Sequence, residues 1–216
     1  MQIIREACVE TKEDIDCAQK GGADRIELCA ALELGGLTPS VEITEYALSK
    51  NLKIAAMIRL RSDFSASSQD IETMRGQIRN FQSIFSGRGI EAFVFGFLTS
   101  GKEIDFSAVK LLLGEIEKRN AVFHMAFDEI PDSKQFSSID TLAELGFSRI
   151  LTKGGTGKAL NNIERLRALN DYARGKITIL CGGGVTDENY AELSAKTGIT
   201  QFHGRKLAVK RETGKE

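Results

Sequence analysis

The chain has 216 residues, with 29 Lys plus Arg against 30 Asp plus Glu, 42% hydrophobic residues, 7% aromatic residues and no Trp. A formal net charge of −1 leaves no basic footprint for nucleic acid or for an anionic membrane, so neither partner is expected. No apolar run reaches the ~18 residues that a membrane span needs, and the charged start MQIIREACVE is not a signal peptide, which makes a cytoplasmic protein the expectation. Cys8, Cys17, Cys29 and Cys181 form no C-x-x-C pair, and cytosolic thiols stay reduced, so neither disulfides nor a zinc finger are expected.

Short runs rich in Ile, Val and Phe recur along the chain with helix-period stretches between them, the pattern of consecutive βα units. The predicted strands are residues 2–8 (QIIREAC), 25–29 (RIELC), 53–59 (KIAAMIR), 92–96 (AFVFG), 121–125 (AVFHM), 149–152 (RILT), 178–181 (TILC) and 200–203 (TQFH). Residues 104–120 and 137–145 place apolar side chains three and four apart and read as helices. Glycines in GGAD at residues 21–24 and in ELG before Phe147 read as left-handed helix caps. No composition shift or linker divides the chain, so the expectation is a single (β/α)8 TIM barrel over residues 1–216, with an open doubly wound sheet as the alternative. After His203 come thirteen mostly polar residues, which predicts that the last helix is missing. The apolar surface so left would be open to a second subunit.

Barrel strands normally point branched apolar residues inward. Here Glu6, Glu27, Arg59 and His124 lie in the second half of strands, and Cys8, Cys29, Arg61, Asp128, Cys181 and His203 lie at or just beyond strand ends. Those ends form the mouth where barrels build their sites, so these residues are predicted to converge there. A buried ion-pair network of Glu6, Glu27 and Arg59 is the competing reading. Two glycine clusters, Gly154 and Gly155 in LTKGGTGKA and Gly182, Gly183 and Gly184 in LCGGGVTDEN, follow strands and precede helices, where backbone N–H groups bind anions. Gly204 after His203 extends this candidate anion seat, although tight turns alone would also use glycine. Neither a P-loop nor a dinucleotide G-x-G-x-x-G is present, so no organic cofactor is expected. Cys8, Cys29 and Cys181 end the first, second and seventh strands and read either as soft metal ligands or as small buried hydrophobes.

These residues fall in motifs that resemble a known family. RIELCAALELGGLTPS, IRLRSDF, FHMAFD, RILTKGG, CGGGV and FHG are similar, in order, to the signatures of the CutC copper-homeostasis family. The resemblance implies a (β/α)8 barrel, a cytoplasmic protein, frequent homodimers and copper homeostasis through Cu(I) binding. It maps the family's polar cluster onto Glu6, Glu27, Arg59, Arg61, His124 and Asp128, and its copper-binding thiols onto a set that includes Cys29. Lys153, Met125, Arg205 and Lys206 depart from the residues usual in the family at those positions.

Two functions compete on this reading. In the first, Cys29 with Cys8 and Cys181 binds Cu(I). In the second, the barrel is an isomerase, lyase or aldolase-like enzyme for a small phosphorylated or carboxylated metabolite. There Arg59 and Arg61 clamp the anion with help from the glycine turns and His203, while Glu6, Glu27, His124 and Asp128 supply acid and base. A Schiff base on Lys153 and a scaffold role are weaker variants.

Overall fold

In a computed structural model the structure describes residues 2–117 and 120–210. Eight parallel strands close into a barrel in sequence order: β1 (Ile4–Val9), β2 (Arg25–Leu28), β3 (Ile54–Met57), β4 (Ile90–Phe95), β5 (Ala121–Phe123), β6 (Arg149–Thr152), β7 (Thr178–Cys181) and β8 (Gln201–Gly204). Seven helices alternate with them: α1 (Lys12–Gly21), α2 (Val41–Ser49), α3 (Ser68–Phe85), α4 (Phe106–Leu113), α5 (Asp132–Leu145), α6 (Ile163–Ala173) and α7 (Tyr190–Thr197). The (β/α)8 expectation is met.

Local chemistry explains where the elements begin and stop. Thr11 and Ser67 cap α1 and α3 by accepting from the N–H groups of Asp14 and Asp70, whose carboxylates accept in return from the capping residues' N–H groups. Gly22 (φ 70°) and Gly146 (φ 92°) end α1 and α5 in the left-handed region, as their sequence context predicts. The helix predicted for 104–120 is shorter. Asp105 starts it, accepting from Ala108 N–H, and it ends at Leu113 before Gly114.

Two layers of core follow from the alternation of side chains along each strand. Outward residues such as Ile26, Phe95, Phe123 and Phe202 pack with the helices. Inward residues include Cys8, Cys29, Ala55, Met57, Ala92, Val122, Leu151 and Leu180. Ala55 and Ala92 are small, and the space beside them is filled by charge.

No eighth helix follows β8 among the described residues, but the chain after β8 packs against part of the surface it would cover. The segment 205–210 lies there as a turn and bend, with Ala208 in the left-handed region (φ 53°) and Leu207 and Ala208 buried. Ala208 N–H donates to both carboxylate oxygens of Asp187 at 3.0 Å, and Lys210 N–H donates to Cys17 C=O at 2.9 Å. Among the described residues the chain itself thus covers part of the expected apolar gap. Among the described residues no helix is long and apolar enough to cross a membrane.

Candidate functional site

A column of polar side chains runs inside the barrel from its base to its mouth. At the base, Glu91 accepts from Arg149 Nη1 at 3.0 Å and from Arg25 Nη1 at 3.2 Å, while Arg25 Nη2 donates to Gln201 Oε1 at 3.1 Å. Glu91 reaches this position through a register shift: Ile54 pairs with Ile90 and Ala55 with Ala92, so Glu91 has no partner on β3. Above it, Arg25 Nε donates to Glu6, which also meets His203 Nδ1 at 2.8 Å. The other ring nitrogen of His203 lies 3.6 Å from Glu27 Oε2. The Cys8 and Cys29 sulfurs lie 3.6 and 3.7 Å from that same oxygen. Ligand atoms of Cys8, Glu27 and His203 all fall within 4.8 Å of one another.

Burial and neighbours set the charges of this column. Burial raises the Glu6 carboxyl, but Arg25 and the hydrogen bond with His203 outweigh it and leave a pKa of about 2. At Glu27 burial, helped by Cys8 and Glu6, outweighs the His203 charge and pushes the carboxyl up to about 8. The Cys29 thiol, hydrogen-bonded to Cys8, lowers Cys8 to about 5 with help from His203, while Cys29 itself is held well above the usual thiol range. Burial opposes the charge on His203, but Glu27, Cys8 and Glu6 together raise it well above the ordinary imidazole range. Glu27 Oε1 is buried with no hydrogen-bond partner.

The column opens into a mouth cavity of about 430 Å³. Cys8, Glu27 and His203 border it on the β8–β1–β2 side. Arg59 and His124 border it on the β3–β5 side, with Leu32, Met57, Phe64, Met125 and Leu151 as apolar walls. Arg59 is fixed by carbonyls: its Nη1 donates to Gly35 O at 2.9 Å and its Nη2 to Ser62 O. Its guanidinium lies 4.8 Å from the centre of the Phe64 ring, which in turn meets the His124 ring at 5.2 Å. His124 Nδ1 accepts from Ala126 N–H at 3.2 Å, so its proton sits on Nε2. Burial and the nearby Arg59 charge lower its pKa to about 3 and keep the ring neutral.

Four sequence expectations need correction. Arg61 is not in the mouth: β3 ends at Met57, the alternation stops there, and the half-exposed Arg61 side chain bridges to Asp70 at the start of α3. Cys181 faces the helix layer rather than the interior, because Leu180 takes the inward position of β7, and burial raises its thiol to about 12. Asp128 lies outside the cavity lining and holds the β6 end instead, accepting from Thr152 Oγ1 at 2.5 Å and from Lys153 N–H at 3.1 Å. The glycine clusters do not sit at helix N-termini, since α6 begins at Ile163 and α7 at Tyr190. Gly154 and Gly155 do not line the cavity; Gly154 (φ 77°) turns where a Cβ would strike Leu166 at 2.7 Å. Gly182 donates its N–H to Thr152 O within the barrel and would strike Leu151, whereas Gly183, Gly184 and Gly204 do border the cavity.

Glu6 is inside the barrel but deeper than the cavity, where it orients His203. Arg25 and Arg149, which complete the column, were not expected from the sequence, because a charged residue opening an apolar run reads as a strand boundary. Met125 and Arg205 do reach the cavity wall, with Arg205 half-paired to Glu10 at 3.7 Å, while Lys153 and Lys206 do not.

The comparisons with known proteins agree with this framework. The CutC family pattern matches residues 3–208. This chain belongs to the CutC family. It is 36% identical over 204 residues to a CutC family protein of Caulobacter vibrioides, covering 94% of this chain and 81% of that one. It is likewise 36% identical over 202 residues to the human copper homeostasis protein cutC homolog, covering 93% of this chain and 72% of the human protein. The crystal structure of a CutC protein from Streptococcus agalactiae superposes with a TM-score of 0.88 at 38% identity, covering 95% of this chain and all of that chain. As a CutC family member, the chain is a (β/α)8 barrel of the copper-homeostasis group.

Proposed function

We propose that the chain handles copper by binding Cu(I) at the base of the mouth cavity between Cys8 and His203 Nε2, beside Glu27, with Cys29 moving in from just outside the cavity lining as the second thiolate. The observation that carries this reading is that ligand atoms of Cys8, Glu27 and His203 lie within 4.8 Å of one another, with the Cys29 sulfur adjoining them 3.7 Å from Glu27 Oε2. Two thiolates and an imidazole suit a soft monovalent ion of low coordination number. Glu6 supports the assignment by fixing His203 through Nδ1, which leaves Nε2 for the metal, as outer-sphere carboxylates do at histidine ligands. All four cysteines are free, consistent with work in a reducing cytoplasm, where copper is monovalent. Cys181 drops out of the ligand set because it faces the helices. A homodimer is part of the same reading and is read directly by sedimentation of the reduced protein.

The test is anaerobic titration of the reduced chain with Cu(I) against a chromophoric chelator. One tightly held ion per chain is expected, lost in Cys8→Ser and Cys29→Ser, weakened in His203→Gln and unchanged in Cys181→Ser and Cys17→Ser. Tight binding that survives the Cys8→Ser/Cys29→Ser double variant overturns the assignment.

A further inference from the structure

A single copper ion needs far less room than a cavity of about 430 Å³, a volume ordinary for a small organic ligand. The β3–β5 side of the cavity has its own polar equipment. Arg59 is 7% exposed, yet no carboxylate lies within 4 Å of it among the described residues; its Nη1 donates to the Gly35 and Gly36 carbonyls and its Nη2 to Ser62 O alone, which leaves one Nη2 N–H for a ligand. Its Nε–H is buried with no acceptor at all. A buried cation with no contacting carboxylate and an orphaned donor is costly, even with Asp63 and Glu27 nearby, and such groups are usually satisfied by something that binds. Beside it the neutral ring of His124, 4% exposed, carries its proton on the Nε2 atom and also borders the cavity. Around both stands an apolar wall of Phe64, Leu32, Met125 and Leu151.

We infer that this side of the cavity binds a small organic monocarboxylate, whose carboxylate pairs with Arg59 and accepts from His124 Nε2–H while its apolar body lies against Phe64 and Met125. One guanidinium and one neutral donor match a single negative charge. A phosphate dianion would call for more: Lys153 and Lys158 do not line the cavity, and Arg205, which does, is exposed and already faces Glu10. The inference goes beyond the copper reading and uses none of the residues assigned as its ligands.

The probe is benzoate, with benzamide and inorganic phosphate as controls, titrated into the metal-free reduced chain and followed by calorimetry and by imidazole NMR. The chain has only two histidines, so the His124 signals are assigned by comparison with His203→Gln. Benzoate is expected to bind saturably in the millimolar range and to shift the His124 resonances, while benzamide and phosphate do neither. Arg59→Met is expected to weaken benzoate about ten-fold or more, and Cys17→Ser, on α1 away from the cavity, to leave it unchanged. No saturable benzoate binding, equal binding of phosphate, or benzoate binding indifferent to Arg59→Met overturns the inference. Should Arg59→Met fail to fold, the His124 shift in the unmutated chain decides, since its absence with benzoate or its presence with benzamide is equally fatal. Failure of the Cu(I) titration with benzoate binding intact refutes the copper site alone, and the converse refutes only this one.

Discussion

Glu6→Gln removes the charge at the middle of the barrel's polar column while keeping the shape of the side chain. Glu6 is 1% exposed, and its pKa of about 2 lies below the ordinary 4.5. A depressed carboxyl pKa contributes stability that is fully present above about 4.5 and is lost as pH falls through about 2. That difference is worth roughly 3 kcal/mol at pH 7, of which roughly 2 kcal/mol remains at pH 3.5. Breaking a buried pair such as Glu6–Arg25 typically costs about 3–5 kcal/mol, so two independent routes give the same size of effect. Urea unfolding of both proteins at several pH values between 7 and 3.5 measures it. Glu6→Gln should be about 3 kcal/mol less stable at pH 7, with the gap narrowing by about 1 kcal/mol at pH 3.5 as the unaltered chain loses its advantage. A gap below about 1 kcal/mol at pH 7, or one that widens on acidification, would refute the ion-pair reading.

Four further outcomes follow from the same structure. Binding of Cu(I) should release protons, because Cys29 and His203 are held protonated in the free site; affinity should therefore rise with pH from 6 to 8, and a flat profile by chelator competition contradicts the ligand set. Cys181→Ser puts a hydroxyl into the dry helix-facing layer and should destabilise by about 1–3 kcal/mol in urea without altering copper stoichiometry. Gly204→Ala places a Cβ 2.2 Å from Val185 O, a backbone atom that cannot swing aside, and should cost about 2–3 kcal/mol or prevent folding, read by thermal melting. Arg61→Ala removes only an exposed pair with Asp70 and should change stability by no more than about 1 kcal/mol, with benzoate and copper binding both unaffected; a loss of either would return Arg61 to the site.

The architecture was readable because its signals are local. β6 and β7 coincide with the apolar runs RILT and TILC, and Gly22 and Gly146 cap helices as their contexts suggest. What the sequence could not show was the direction of side chains where no alternation guides it. In TILC both faces are buried, so nothing in the residues says that Leu180 rather than Cys181 points inward. The pair Arg59 and Arg61 invites an extension of the strand's period of two, but the strand has already ended at Met57. The base of the column was invisible for another reason. Arg25, Arg149 and Glu91 meet only when β2, β6 and β4 close on one another, and Glu91 faces them through a register shift that no residue type announces. The glycine clusters were legible as turns, but the distance from each to the next helix was not.

The cluster of Cys8, Glu27 and His203 straddles the seam between β1 and β8, where Glu6 and His203 pair across 197 positions of sequence. No contiguous part of the chain short of nearly the whole of it contains the site. During synthesis Cys8, Glu27 and the neighbouring Cys29 emerge well before His203, since β8 is the last of the eight strands to be made. Assembly of the proposed copper site would therefore be the same event as closing the cylinder, and a chain caught half-folded would present loose thiols without their imidazole.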